Sequence, residues 1–267
     1  MTGETGQVVE NITQGVVYIA SGELYIRAAM RSALTVRRHC PGLSMHLFAD
    51  WDNYDFQFGH SPYPFTSVEM TENPHRRSKV DYLPRTPFER TLYLDTDTSV
   101  CGDIRDMFRL LERFDVAVAH GYRRNFPPRL AAWRIELPQA FAQFNAGVML
   151  YRRTPAVVRF LEEWRDRYHE NYPAIGQDQA TLRELLWLSD LRLAVLPPEY
   201  NVRYLKYHVL WSRAEARTKI FHLKQYHSGW LLWLLRPLSK THLGIARRIG
   251  LMGILDPKGK KKRRPGT

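Results

Sequence analysis

Cysteine is scarce in this chain: Cys40 and Cys101 are the only two in 267 residues. Two thiols so far apart make neither a disulfide framework nor a metal-binding spacing, and they point to a reducing compartment. Long hydrophobic runs are also lacking. No apolar stretch approaches the ~18 residues needed to span a bilayer, and the polar, acidic N-terminus carries no secretory signal. A cytoplasmic location is expected. Neither a Gly-x-Gly-x-x-Gly fingerprint nor a Walker loop is present, which argues against dinucleotide-dependent and ATP-cradling enzymes. Acidic side chains are in deficit, 27 against 39 Lys and Arg, for a net charge of +12. The deficit is uneven. Residues 258–264, Lys-Gly-Lys-Lys-Lys-Arg-Arg, hold six positive charges; without them 33 basic side chains face 27 acidic ones. The remaining +6 is mild. It suits an anionic substrate and does not demand nucleic acid, which is not an expected partner.

What is present reads as one α/β domain. Val16–Ala20 is a strand-like apolar run. Ile26, Ala29, Met30, Ala33 and Leu34 then recur at helical spacing, and Pro41-Gly42 stops that helix. Met45–Ala49 is a second strand ending at Asp50. Strand, helix, strand implies a right-handed parallel unit, whose ligands bind beyond the carboxyl ends of the strands. Residues 51–75 read as loop, 76–83 as a short helix carrying Lys79, 103–113 as helix, 116–119 as strand and 123–143 as irregular and basic. Val148–Tyr151 is a strand. Thr154-Pro155 opens a helix with a cap and an N1 proline; Val157, Phe160, Leu161, Trp164 and Tyr168 form its buried face. Gln177-Asp178-Gln179 starts a further helix with Leu182, Leu185 and Leu186 inward. Strands at 191–196 and 219–222 complete the pattern.

The most informative segment is Leu92-Tyr93-Leu94-Asp95-Thr96-Asp97. A short buried strand ends in two carboxylates one residue apart. Their repulsion and desolvation are relieved by a hard divalent cation such as Mg²⁺ or Mn²⁺, which prefers oxygen ligands and shares them with substrate phosphates. The plain alternative is a pair of turn or cap aspartates.

Four segments follow in order: Leu-Tyr-Leu-Asp95-x-Asp97, Phe144-Asn145-Ala146-Gly147-Val148, Gln177-Asp178-Gln179 and Ile220-Phe221-His222. This order resembles the GT-A fold nucleotide-sugar glycosyltransferases, particularly glycosyltransferase family 8 and its relatives, over about residues 15–229. The resemblance implies a Rossmann-like, mostly parallel sheet flanked by helices. It implies an Mn²⁺- or Mg²⁺-dependent hexosyltransferase that uses a nucleotide-diphosphate sugar, most often UDP-linked, with retention of configuration. The acceptor is a glycan, lipid or protein. By resemblance Asp97 binds the cation, Asp95 touches cation and ribose, and His222 is the third metal ligand. The family follows this histidine with glycine, lysine, proline and tryptophan, whereas here the chain reads Leu223-Lys224-Gln225-Tyr226-His227. His227 is therefore an alternative ligand, and Lys224 a phosphate contact at altered spacing. Asp178 matches a residue that bonds sugar hydroxyls, and Gln179 one near the anomeric carbon; glutamine is a poor nucleophile, so front-side displacement is favoured. For Asp178 a helix N-cap is the plain alternative. Asn145 is a candidate for a sugar hydroxyl, and Ala146 and Gly147 for close substrate approach. Lys79 falls where relatives place a basic donor contact, the alternative being a solvated helix face. Ser21 falls near the nucleotide base.

Residues 1–14 read as a leader, 230–255 as an amphipathic segment and 256–267 as a basic disordered tail. Trp230–Leu235 plus the tail suggest peripheral attachment to an anionic membrane at its inner face. A terminal helix packed on the domain is the alternative. Two other functions fit parts of the pattern. One is a haloacid-dehalogenase-like phosphatase using Asp95 as nucleophile, although that motif usually opens the first strand of its fold. The other is a non-catalytic nucleotide-sugar-binding protein on a transferase scaffold, favoured by the atypical residues after His222.

Overall fold

The structure is a computed structural model that describes residues 13–53, 63–72, 74–75, 77–121, 133–175, 178–204, 208 and 216–224, with residues 171–175 as backbone only. Its centre is a seven-stranded sheet. The strands are β1 (Gln14–Ala20), β2 (Ser44–Ala49), β3 (Ser67–Met70), β4 (Arg90–Leu94), β6 (Val116–His120), β7 (Phe144–Arg152) and β8 (Leu193–Leu196), in the order β3-β2-β1-β4-β7-β6-β8. Strand β7 runs antiparallel to both neighbours, and all other pairings are parallel. The expected mostly parallel α/β architecture is what the chain adopts. A two-stranded ribbon, β5 (Thr98–Val100) against β9 (Ile220–His222), lies outside this sheet and pairs Thr98 with His222.

Period-2 alternation divides the core between the two faces of the sheet. Val16, Tyr18, Leu92 and Leu94 face helix α1 (Glu23–His39). Val17, Ile19, Tyr93 and Tyr151 face helices α2 (Lys79–Tyr82), α3 (Pro155–Ile175) and α4 (Gln179–Leu188). With both faces covered, the central strands are buried almost throughout, as parallel sheets require. Burial at α3 follows the expected stripe, Val157, Phe160, Leu161, Trp164 and Tyr168. Thr154 accepts the Val157 amide at 3.3 Å and caps that helix. Leu182, Leu185 and Leu186 of α4 point inward.

Several expectations change. Leu34 is exposed, and Val36 takes its place in the α1 core. The helix expected over 103–113 is present at 105–112, in 3₁₀ geometry. The Asn145-Ala146-Gly147 segment is not a turn before a strand: β7 begins at Phe144 and absorbs it, with a register shift against β6 between Val118 and Ala119. Strands β3, a four-residue alternation Ser67-Val68-Glu69-Met70, and β5, three residues long and mostly polar, are too short to stand out and were not expected. β1 opens at Gln14, inside the span expected as leader. Residues 230–255 and 256–267 and His227 lie outside the described residues.

Candidate metal and substrate site

Asp95 follows the last residue of β4, and the turn it opens is held from two sides. Its amide donates to the Gly147 carbonyl of β7 at 2.8 Å, and the Leu223 amide beyond β9 donates to the Asp97 carbonyl at 2.9 Å. This fastening presents both carboxylates to the end of β9. His222 Nε2 lies 3.0 Å from Asp97 Oδ1 and 3.3 Å from Asp95 Oδ2. The turn-aspartate alternative does not explain a buried imidazole facing both side chains.

The tautomer of His222 follows from its other nitrogen. Nδ1 is 2.7 Å from Asn201 Oδ1, an acceptor only, so Nδ1 carries the proton and donates it. Asn201 Nδ2 donates in turn to Asn145 Oδ1 at 3.1 Å, which also receives the Gly147 amide at 3.2 Å. Nε2 is then an acceptor, and Arg203 Nη1 contacts it. Two carboxylate oxygens and one imidazole lone pair thus converge. Their ligand atoms lie within 4.8 Å of one another. Convergent acceptors of this kind favour positive charge among them, which Arg203 partly supplies here, and an O,O,N set suits Mn²⁺ or Mg²⁺. Gly147 keeps the space open: a Cβ there would stand 2.1 Å from His222 Cε1 and 2.5 Å from Asp95 Oδ2.

A cavity of about 770 Å³ rises from this cluster. Ser21, Lys79, Asp95, Asp97, Asn145, Gln179, His222 and Lys224 line it. Ser21 Oγ is buried with no hydrogen-bond partner among the described residues, an unused donor and acceptor. Ala146 and Gly147 do not reach the wall. Ala146 points into the core, and Gly147 acts beneath the site through its lack of a side chain.

Lys79 is the electrostatic centre. It is buried, not a solvated helix face, and its Nζ lies 3.0 Å from Asp178 Oδ2 and 3.5 Å from Asp95 Oδ1. Arg77 Nε stands 3.7 Å from Asp178 Oδ1. Burial pushes the Lys79 ammonium toward neutrality, but Asp178 and then Asp95 outweigh it and raise its pKa. Burial likewise opposes charge on Asp95, and the Lys79 ammonium outweighs it and holds the carboxyl well below the usual range. Tyr93 donates its hydroxyl to Asp95 Oδ1 at 2.7 Å, and burial beside that charge raises the phenol well above its ordinary pKa.

Asp178 is not a side-chain cap for α4 and makes no capping hydrogen bond. It is 1% exposed, and the structure sets its carboxylate against Lys79 and Arg77 rather than on the cavity wall. Gln179 does reach the wall, and its carbonyl accepts Gln143 Nε2 at 2.8 Å. Asn201, Arg203, Arg77 and Tyr93 were not among the expected site residues. Only Arg77, inside the basic run at 76–79, and Tyr93, inside the motif strand, stood in segments already singled out.

Residues 90–227 match the family model described as nucleotide-diphospho-sugar transferase. No curated protein sequence matches the chain. Among solved structures it is similar to the glycosyltransferase GlyE of Streptococcus pneumoniae TIGR4, at a TM-score of 0.52 and 17% identity. It is also similar to the apo form of GlyE, at 0.53 and 18%. Each comparison covers 79% of this chain and 54% of the other, so this chain spans about half the length of GlyE. At such identities the likeness speaks to the fold.

Proposed function

The chain belongs to the nucleotide-diphospho-sugar transferases, and on that premise we propose that it is a metal-dependent glycosyltransferase moving a hexose from a nucleotide-diphosphate sugar, UDP-linked, to a glycan, lipid or protein acceptor with retention. One observation carries the reading: Asp95, Asp97 and His222 converge at the floor of a cavity beside a buried lysine. That family membership displaces the phosphatase alternative.

Asp95, Asp97 and His222 would hold the cation. When bound it supplies Lewis-acid neutralisation of the charge that builds on the departing diphosphate. The chain's own residues account for the rest. Asn201 holds the His222 ring in the tautomer that turns its Nε2 lone pair inward. Arg203 contacts that lone pair in this structure and would have to leave it for a cation to bind there. Lys79 and Lys224 bring fixed positive charge to the diphosphate. Ser21 offers its unpaired hydroxyl to the nucleoside. Gln179 faces the sugar, and its neutral amide is a poor nucleophile. Asp178 is neutralised by two cations and does not face the cavity, which supports front-side displacement over a covalent intermediate on this carboxylate. Asn145 spends its carbonyl oxygen on Gly147 and Asn201, leaving its amide group for a sugar hydroxyl.

The test is nucleoside diphosphate release from a panel of nucleotide sugars with Mn²⁺, with Asp97→Ala alongside. Metal-dependent release from one donor, absent in the variant, is expected. Donor binding without release across a panel of acceptors would favour the non-catalytic reading. No helix among the described residues is long and apolar enough to cross a membrane. Attachment through residues 230–267 is proposed from their sequence alone, and its test is salt-sensitive binding to anionic liposomes with and without residues 258–267.

A further inference from the structure

A second cluster of ligating side chains stands at the rim of the same cavity. Asp81, on α2, lies between two imidazoles. Its Oδ2 is 2.6 Å from His75 Nε2, and its Oδ1 is 2.6 Å from His169 Nε2. His75 precedes α2 and lines the cavity, while His169 belongs to α3. The His75 ring stacks on Tyr168 at 6.1 Å with a 10° interplanar angle, which fixes its plane. All three ligand atoms lie within 4.8 Å of one another. The side chains are 33%, 26% and 48% exposed, so an ion can enter from solvent and the rings can turn.

We propose that His75, Asp81 and His169 form a second divalent-metal site, of zinc type, that ties α2 to α3 at the rim of the cavity. The donor chemistry separates it from the first site. Two imidazoles and one carboxylate suit Zn²⁺, whereas two carboxylates and one imidazole suit Mn²⁺ or Mg²⁺. Three protein ligands also leave a fourth position for water. Zinc bonds of about 2.0–2.1 Å require ligand atoms roughly 3.3 Å apart, so the present 2.6 Å contacts open by less than an ångström. The loop before α2 registers the change. The Arg77 amide donates to His75 Nδ1 at 3.2 Å, so in this structure Nε2 carries the His75 proton. Metal on Nε2 moves that proton to Nδ1 and ends the Arg77 bond. Arg77 pairs with Asp178, and Lys79 opens α2, so the ion would brace the elements that carry the site's cations.

The experiment uses the full chain, stripped with a chelator and titrated with Co²⁺ as a spectroscopic stand-in for Zn²⁺, then with Zn²⁺ by calorimetry. Tetrahedral visible absorption and tight Zn²⁺ binding are expected in the wild type and in Asp97→Ala. His169→Ala, at an exposed position, should lose the absorption and weaken Zn²⁺ binding at least ~10-fold. Asp81→Asn, nearly isosteric, should do the same. Absorption that survives His169→Ala and Asp81→Asn, or that disappears in Asp97→Ala, overturns the proposal. The readout needs no turnover, so it stands or falls apart from the transferase reading.

Discussion

Asn201 accepts the Nδ1 proton of His222 at 2.7 Å, and this single bond decides which nitrogen faces Asp95 and Asp97. Asn201→Ala frees the ring to turn and to change tautomer. We expect the Mn²⁺ concentration for half-maximal activity to rise about 10–100-fold, with the fold retained. Mn²⁺ titration of diphosphate release checks this, and an unchanged requirement would remove Asn201 from the site.

Gly147 is the second constraint. A methyl group there meets His222 and Asp95 at distances no carbon tolerates, so one of the two must leave its place. Gly147→Ala should lose metal-dependent turnover while circular dichroism stays unchanged. Wild-type Mn²⁺ affinity in this variant would show that the cluster relaxes freely.

Lys79→Met leaves the buried Asp178 and the half-buried Asp95 without their shared cation. Removing one partner of a buried pair costs on the order of 3–5 kcal/mol. Adding Asp178→Asn should recover part of that loss, because the stranded charge is then gone. Urea denaturation of the two single variants and the double variant gives the coupling. Strict additivity would mean that the pair does not interact.

The Asp115–Arg192 pair sets an acid dependence. Arg192 donates Nη2 to Asp115 Oδ1 at 2.7 Å and Nε to Oδ2 at 3.0 Å. These bonds, against a small opposing effect of burial, lower the carboxyl pKa. A lowered folded-state pKa means stability that is complete above the unfolded value of about 3.9 and fades as pH falls through the folded one. Because Arg192 is more than half exposed, solvent screening keeps the contribution small. The stability gap between wild type and Asp115→Asn should therefore hold from neutrality to about pH 4 and close below it. A gap independent of pH would place its origin in packing.

The sequence by itself determined much of this protein. The apolar runs of β1 and β4, the helical spacing in α3 and α4, and the carboxylates after Leu94 are local patterns, legible from neighbouring residues alone. Leu34 shows the limit: it kept the helical spacing, yet Val36 is what the sheet covers. The tertiary structure decided the rest. It brought His222 to 3.0 Å from Asp97 by pairing β5 with β9, and it placed Asn201 behind the ring. It turned Lys79 inward toward Asp178 and drew Asp178 away from its cap. A buried charge takes its meaning from partners distant in the chain. No neighbouring residue names those partners; only the packing that closes the sheet's carboxyl edge does.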